Sequence, residues 1–413
     1  MVNVAYRVLN VLRRALVQVQ LPYLDLVWLR LQVSGLLCSQ QSREQVVFMV
    51  ADVSIWDVFS AIHKRLISDD RFVVTVVAFH RVDISVVKPQ SEVEQFFRNR
   101  GIEVEFLSES QQKKFSWKSY DYAFFTLGTG AFPKRLNIRT ASRYCRTIYL
   151  AYGMLLGDHH EYQYNSDSQH FAWRLLAANQ IEVHNYRLHA RYAKTRVLFT
   201  GYTKFEDLAN TSAPITPPSR PLVIWAPHWT VGNRSHNRFG TFDQVSKGML
   251  NLVRANPELD FVLKPHPNLA DEFDRLHSAS GRVFQQYLRD FESESNARVA
   301  CIEDTATLFL QSTAMITDSI SFLGDYLFTL KPLFFLDRSE RRLLNELGEA
   351  IIQSHYKGRG VVDIQLFLSE IVESGLDPKR VDRERLRRVV WDSDSRLPSE
   401  IIRSLLLNNP VIR

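Results

Sequence analysis

The chain has 413 residues, which makes two domains of ordinary size the starting expectation. Hydrophobic residues make up 45% and charged residues 23%, enough apolar material for packed cores, which excludes a globally disordered chain. A formal charge of +6 is modest for this length and fits phosphate-bearing or anionic partners; with no DNA- or RNA-binding motif present, no nucleic-acid partner is expected.

Residues 2–37 are apolar but punctuated by Arg7, Arg13, Arg14, Asp25 and Arg30. Val8, Leu9, Val11, Leu12, Ala15 and Leu16 fit one helical face, so the segment reads as an amphipathic helix packed on its own domain or lying on an anionic membrane surface. No apolar run reaches the roughly twenty residues of a spanning helix. The N-terminus also lacks a signal-peptide cleavage pattern, so a cytoplasmic protein is expected, peripheral at most on the inner face of the plasma membrane.

Strands are expected at 46–50, 72–79, 102–107, 122–127, 146–151 and 197–200, separated by helical stretches. The Pro/Ser/Thr-rich stretch 209–221 reads as a linker. A second series follows, with strands at 222–226, 259–263, 298–302, 314–317 and 333–336. Strands alternating with helices predict parallel α/β architecture. The predicted division is an N-terminal domain over 1–208, a second domain over 222–375, and a helical tail over 376–413. Within that tail, Lys379 to Arg388 reads as a solvated basic helix face.

Three polar loops fall directly after predicted strands of the second half: Trp225-Ala-Pro-His-Trp-Thr230, Lys264-Pro-His-Pro267 and Asp318-Ser-Ile-Ser321. The last opens a helix, with Asp318 and Ser319 as natural N-caps. A helix N-terminus at the carboxyl end of a strand suits an anion. The cysteines Cys38, Cys145 and Cys301 form no CxxC pair, and the adjacent histidines His159 and His160 point apart on a regular backbone, so no metal and no cofactor is expected.

In order and spacing, the second half resembles the CDP-glycerol glycerophosphotransferase family, the teichoic-acid and capsule polymerase-like enzymes of GT-B fold. Thr200-Gly-Tyr-Thr-Lys-Phe-Glu-Asp207 resembles the family's T-G-Y-P-R-N-D, and Trp225-Ala-Pro-His-Trp-Thr230 its A-P-T-W-R. Lys264-Pro-His-Pro267 resembles [RK]-P-H-P. Thr317-Asp-Ser-Ile-Ser-Phe-Leu-Gly-Asp325, followed by Lys331-Pro332, resembles T-D-Y-S-S-x-x-x-D…K-P.

The resemblance implies two Rossmann-like domains facing a central cleft. It also implies transfer of glycerol- or ribitol-phosphate from a CDP-activated donor to a hydroxyl of a glycan or lipid-linked acceptor, with release of CMP. Lys264, His228, Thr317, Asp318, Ser319, Ser321, Asp325 and Gly153 would then bind the donor, and His266 would stabilise the leaving nucleotide. The family's H-G-T histidine aligns with Tyr152, which makes Tyr152, with Asp57 and His159, the candidates for the general base. A His-Pro loop followed by a serine-bearing loop also resembles bacterial sialyltransferases, so a glycosyltransferase using a CMP- or UDP-sugar in capsule or lipopolysaccharide assembly stays open. A catalytically silent scaffold subunit stays open as well.

Overall fold

A computed structural model describes residues 17–29, 43–84, 87–210, 218–232, 238–277, 283–300, 305–391 and 396–408. The chain forms two compact units. The first comprises residues 1–152, 159–206 and 392–413, and the second residues 153–158 and 207–391.

The first unit is built on a seven-stranded parallel sheet. Its strands are β1 (Glu44–Val50), β2 (Phe72–Ala78), β3 (Glu105–Phe106), β4 (Tyr122–Phe125), β5 (Arg146–Leu150), β6 (Arg174–Ala177) and β7 (Val197–Phe199), in the order β3-β2-β1-β4-β5-β6-β7. Val46 to Met49 and Tyr122 to Phe125 are fully buried, as expected of strands covered on both faces. The strand β6 is absent from the sequence-based expectation, being a four-residue run too short for periodicity to tell strand from helix.

The second unit carries a six-stranded parallel sheet: β8 (Leu222–Ala226), β9 (Asp260–Leu263), β10 (Ala297–Val299), β11 (Ala314–Thr317), β12 (Leu333–Leu336) and β13 (Tyr356–Gly358), in the order β10-β9-β8-β11-β12-β13. Here β8, β11 and β12 have the predicted bounds, whereas β13, a polar edge strand, carries no strand signal in the sequence. Met315 pairs with Leu333 on one side and Ile224 on the other, so β11 is central. Both sheets are doubly wound, and each reverses strand order once: between β1 and β4, and between β8 and β11. Ligands of such sheets bind outside the strands' carboxyl ends at that reversal.

The expected separate tail over 376–413 is instead divided between the units. Helix Arg380–Val390 belongs to the second unit, and its supposedly solvated arginine face is not uniform. Arg383 is fully buried, donating to the carbonyls of Leu330 and Ser354 and pairing with Asp377. Charge spacing alone does not say which arginine turns inward. Helix Pro398–Leu407 returns to the first unit, where Ser399 donates through its backbone N–H to Glu206.

Within the first unit, residues 17–29 form a helix that buries Val17, Leu21, Leu24 and Trp28. The Arg196 guanidinium lies over the Trp28 ring at 4.8 Å and reaches Asp25 at 3.2 Å. The apolar positions Val8 to Leu16, Cys38, Cys301, most of the linker and the end of the strand expected at 298–302 lie outside the described residues. Among the described residues, no helix is long and apolar enough to cross a membrane, and no group of three or more His, Cys, Asp or Glu side chains could hold a metal ion.

Candidate functional site

The reversal in the second sheet places the end of β8 beside the end of β11, with Ala226 paired to Thr317. Past these two residues the loops are cross-linked by side chains. Thr317, fully buried, donates its hydroxyl to the Ala226 carbonyl at 2.6 Å and accepts the Ser319 N–H at 3.0 Å. The Asp318 carboxylate, also 0% exposed, accepts the His228 N–H on Oδ1 at 2.5 Å. Its Oδ2 accepts both the N–H and the hydroxyl of Thr241, at 2.5 and 2.8 Å. Burial pushes the Asp318 carboxyl up to about 6, against the downward pull of these donors.

These bonds correct two expectations. The resemblance has Thr317 and Asp318 touching the donor, but their polar atoms face protein partners. Both act instead by holding the β8 loop, the start of helix Phe242–Ala255 and the β11 loop in one arrangement. Neither caps the following helix. Its N-cap is Ser319, with no side-chain capping bond, so this hydroxyl is not engaged by the first turn of Ile320–Leu327. That turn brings N–H groups lacking intrahelical acceptors, and a partial positive charge, to the carboxyl end of β11. Ser321 is half-buried in the same turn, and Asp325 is buried one turn further along.

The β9 loop enters next to these. The Lys264 N–H donates to the Trp225 carbonyl, and the His266 N–H to the Pro227 carbonyl. This brings the His266 ring centroid to 5.5 Å from that of His228. His266 Nδ1 accepts the Asn268 N–H at 3.1 Å, which places the proton of the neutral ring on Nε2. His228 is almost fully buried, and its pKa is lowered to about 3 by desolvation and the neighbouring His266. Of the expected donor-side residues, His228 and His266 thus lie side by side, while Ser319 and Ser321 stand at the start of the helix after β11, whose loop Asp318 ties to the β8 loop.

Three further contributors are not among the sequence-based candidates. Thr241 is the N-cap residue of the next helix, so a search for Ser/Thr before an apolar helical run would find it. Gly240 runs so close to the β8 loop that an added Cβ would meet the His228 oxygen and the Val231 nitrogen at 2.9 Å each. Arg338, two residues beyond β12 and almost fully buried, donates to the Gly240 carbonyl at 3.0 Å. Lys331 of the Lys-Pro pair serves structure: its Nζ donates to the carbonyls of Phe309, Leu310 and Ser312, ending helix Thr305–Gln311. Burial lowers its pKa to about 8.

Gly153, expected beside the donor, begins the short segment 153–158 of the second unit. Next to it, Met154 fills the space over Gly324, where an added Cβ would meet its sulfur at 2.9 Å. The base candidates lie in the first unit. Asp57 opens helix Asp57–Ile67 beyond β1 and is half-buried. His159 is exposed and stacks on Tyr162, while His160 stacks on His189 at 3.6 Å, so the adjacent pair serves different neighbours. Tyr152 is 42% exposed, yet desolvation raises its pKa above the ordinary tyrosine value. That counts against Tyr152 as a general base, since the shift is away from neutral pH. The Gly201 of the Thr-Gly-Tyr segment takes φ +86°, and Tyr202 donates its hydroxyl to the Tyr152 carbonyl at 3.3 Å, so this motif shapes the loop.

No family model matches the sequence, and no curated protein matches it. Solved structures do. The chain is similar to the S. aureus MnaA–UDP co-structure, at 12% identity over 90% of this chain and 98% of that one, with a TM-score of 0.61. It is similar to the wall teichoic acid polymerase TagF at 14% identity over 99% and 98%, with a TM-score of 0.61. It is also similar to UDP-GlcNAc 2-epimerase from Neisseria meningitidis bound to UDP-GlcNAc, at 13% identity over 89% and 100%, with a TM-score of 0.53. At these identities the likeness establishes architecture: two doubly wound parallel sheets in one chain, the GT-B fold.

Proposed function

We propose that the protein is a transferase that uses a nucleotide-activated donor, and that the donor is a CDP-polyol. One observation carries the reading. At the strand-order reversal of the second sheet, the β8, β9 and β11 loops bring His228, His266 and the N-terminus of helix Ile320–Leu327 together around a carboxylate latch. Imidazole Nε2–H groups, a serine hydroxyl free of the helix cap and helix N–H groups together suit phosphate oxygens without a fixed metal.

In this reading the donor pyrophosphate lies at the helix N-terminus, and His266 and His228 donate to its oxygens. An acceptor hydroxyl oxygen forms a new bond to the polyol phosphorus as the bond from that phosphorus to the bridging oxygen breaks. CMP leaves with the electron pair, and the acceptor's proton passes to a base, for which Asp57 and His159 remain the candidates. The acceptor is a glycan or lipid-linked hydroxyl compound, and an anionic membrane surface is its expected setting. The order of the strand-end motifs, with TagF among the similar structures, supports this choice. A second reading, an enzyme acting on a UDP-sugar, is supported by the UDP and UDP-GlcNAc complexes among the same structures.

The test is a thermal-shift panel with CDP, CMP, UDP, GDP and ADP, followed by nucleotide release from CDP-glycerol and CDP-ribitol. A ligand at one hundred times its dissociation constant stabilises by about 2.7 kcal/mol, a shift of several degrees. Selective stabilisation by CDP, with CMP release falling roughly 10²–10³-fold in His266→Ala, is the expected result. Selective stabilisation by UDP moves the assignment to the second reading. No response to any nucleotide, and no release, sinks both.

A further inference from the structure

We propose that His228 is held as a neutral imidazole with its proton on Nε2, and that Thr230 is the positioning residue that fixes this form. The hydrogen bonds around Thr230 leave one consistent arrangement. Its Oγ1 accepts the Phe239 N–H at 2.9 Å and the Gly240 N–H at 3.1 Å, which engages both lone pairs of the hydroxyl. The hydroxyl proton then goes to the remaining polar neighbour, His228 Nδ1, at 2.8 Å. Nδ1 also faces the Thr230 N–H at 3.3 Å. A nitrogen approached by two donors carries a lone pair and no proton, so the ring proton sits on Nε2.

The surroundings agree. His266 from the β9 loop is a second imidazole 5.5 Å away, which disfavours a cation at His228. Trp229 and Phe239 pack against the ring and bring no charge. Asp318 is the acid nearest in bonding, but its carboxylate takes the backbone N–H of His228. Arg338 reaches the same loop through the Gly240 carbonyl, and its guanidinium is itself paired with Glu340 at 3.2 Å. His228 is thus a fixed hydrogen-bond donor, not a titrating cation. Its use in gripping a phosphate oxygen rests on the reading given under Proposed function; the tautomer does not.

The experiment is a long-range proton–nitrogen correlation spectrum of the full chain labelled with 15N-histidine, recorded from about pH 5 to pH 8, the span in which an ordinary histidine changes charge. His228 is assigned by its loss in His228→Asn. The expected wild-type spectrum shows the Nε2–H form throughout. Thr230→Ser, which keeps the hydroxyl, retains it, and Thr230→Val loses it to the other tautomer or the cation. An Nδ1–H ring, or a midpoint near the ordinary value of about 6.5, in the wild type overturns the proposal. So does a Thr230→Val spectrum that matches the wild type. If Thr230→Val fails to fold, wild type and Thr230→Ser still decide. Added CDP that shifts the His228 Nε2–H signal supports the phosphate contact. CDP that raises the melting temperature while leaving that signal unmoved overturns the contact alone. CDP with no effect on either overturns the function reading, while the tautomer still stands or falls by the ligand-free spectra.

Discussion

Where the carboxyl ends of β8 and β11 meet, Asp318 is fully buried and accepts three hydrogen bonds from two residues, His228 and Thr241, of the connection that follows β8. At the carboxyl end of β1, Asp52 is partly exposed, holds Ser54 two residues away and pairs with Arg81 at 3.0 Å. The two sheets share a strand order around the reversal, so topology offers the same crevice in both units. What differs is the wiring of the loops. In the second unit they are tied to one another at the reversal and present imidazole and helix N–H groups. In the first, a buried polar group near the β1 end is His63, well inside the following helix. It lies among Phe48 and Trp56, and burial lowers its pKa to about 4. A shared fold fixes where a ligand can sit, and the loops decide whether there is chemistry to meet it.

This contrast can be broken most forcefully through His63. Its pKa is lowered from 6.5 to about 4, so in the window between those values the unfolded chain takes up a proton that the native state refuses. The stabilising contribution is therefore present above pH 6.5 and is lost as the pH falls toward 4. It amounts to on the order of 3 kcal/mol. His63→Phe keeps the aromatic packing and should flatten the acid limb of urea-unfolding stability across that window. An unchanged slope would place the titrating burden elsewhere.

Gly240→Ala tests the second unit's wiring. The new Cβ meets backbone atoms that cannot swing aside, so a loss of roughly 1–3 kcal/mol is expected in denaturant titration, together with weakened nucleotide stabilisation. Full stability with full nucleotide response would mean the β8 loop is looser than its bonds indicate. The smallest effect belongs to Tyr152→Phe. With the phenol pKa raised, its removal should change the rate of the proposed CMP release by less than about twofold, whereas a general base contributes about 10²–10⁴-fold. A large loss would restore the tyrosine as the proton acceptor.

How much of this is legible in the sequence depends on how local the cause is. The strands β8, β11 and β12 are continuous apolar runs closed by Pro, Asp or Asp-Arg, and their bounds follow from those residues alone. The strand β6 and the polar edge strand β13 do not show, because neighbours in the sheet decide them. His266 and His228 stand out as polar residues after strands. Thr241 shows there only as a helix N-cap and Arg338 not at all, since their partners lie 77 and 98 residues away in the chain. Arg383 looks like every other arginine of its helix until Leu330 and Ser354 supply carbonyls for it.

The sequence by itself determined the alternation of strands and helices, the two-part division and the positions of the strand-end loops. These follow from apolar periodicity and turn residues, which act over a few neighbours. The tertiary structure alone decided which polar side chains are taken up by bonds between loops and which are not. It turned Thr317 and Asp318 inward, left the Ser319 hydroxyl unengaged by the cap and raised the Tyr152 pKa. The physical reason is that burial and hydrogen-bond partnership come from residues distant in the chain. A hydroxyl or carboxylate has the same chemistry in the sequence whether its partner will be a loop or a substrate.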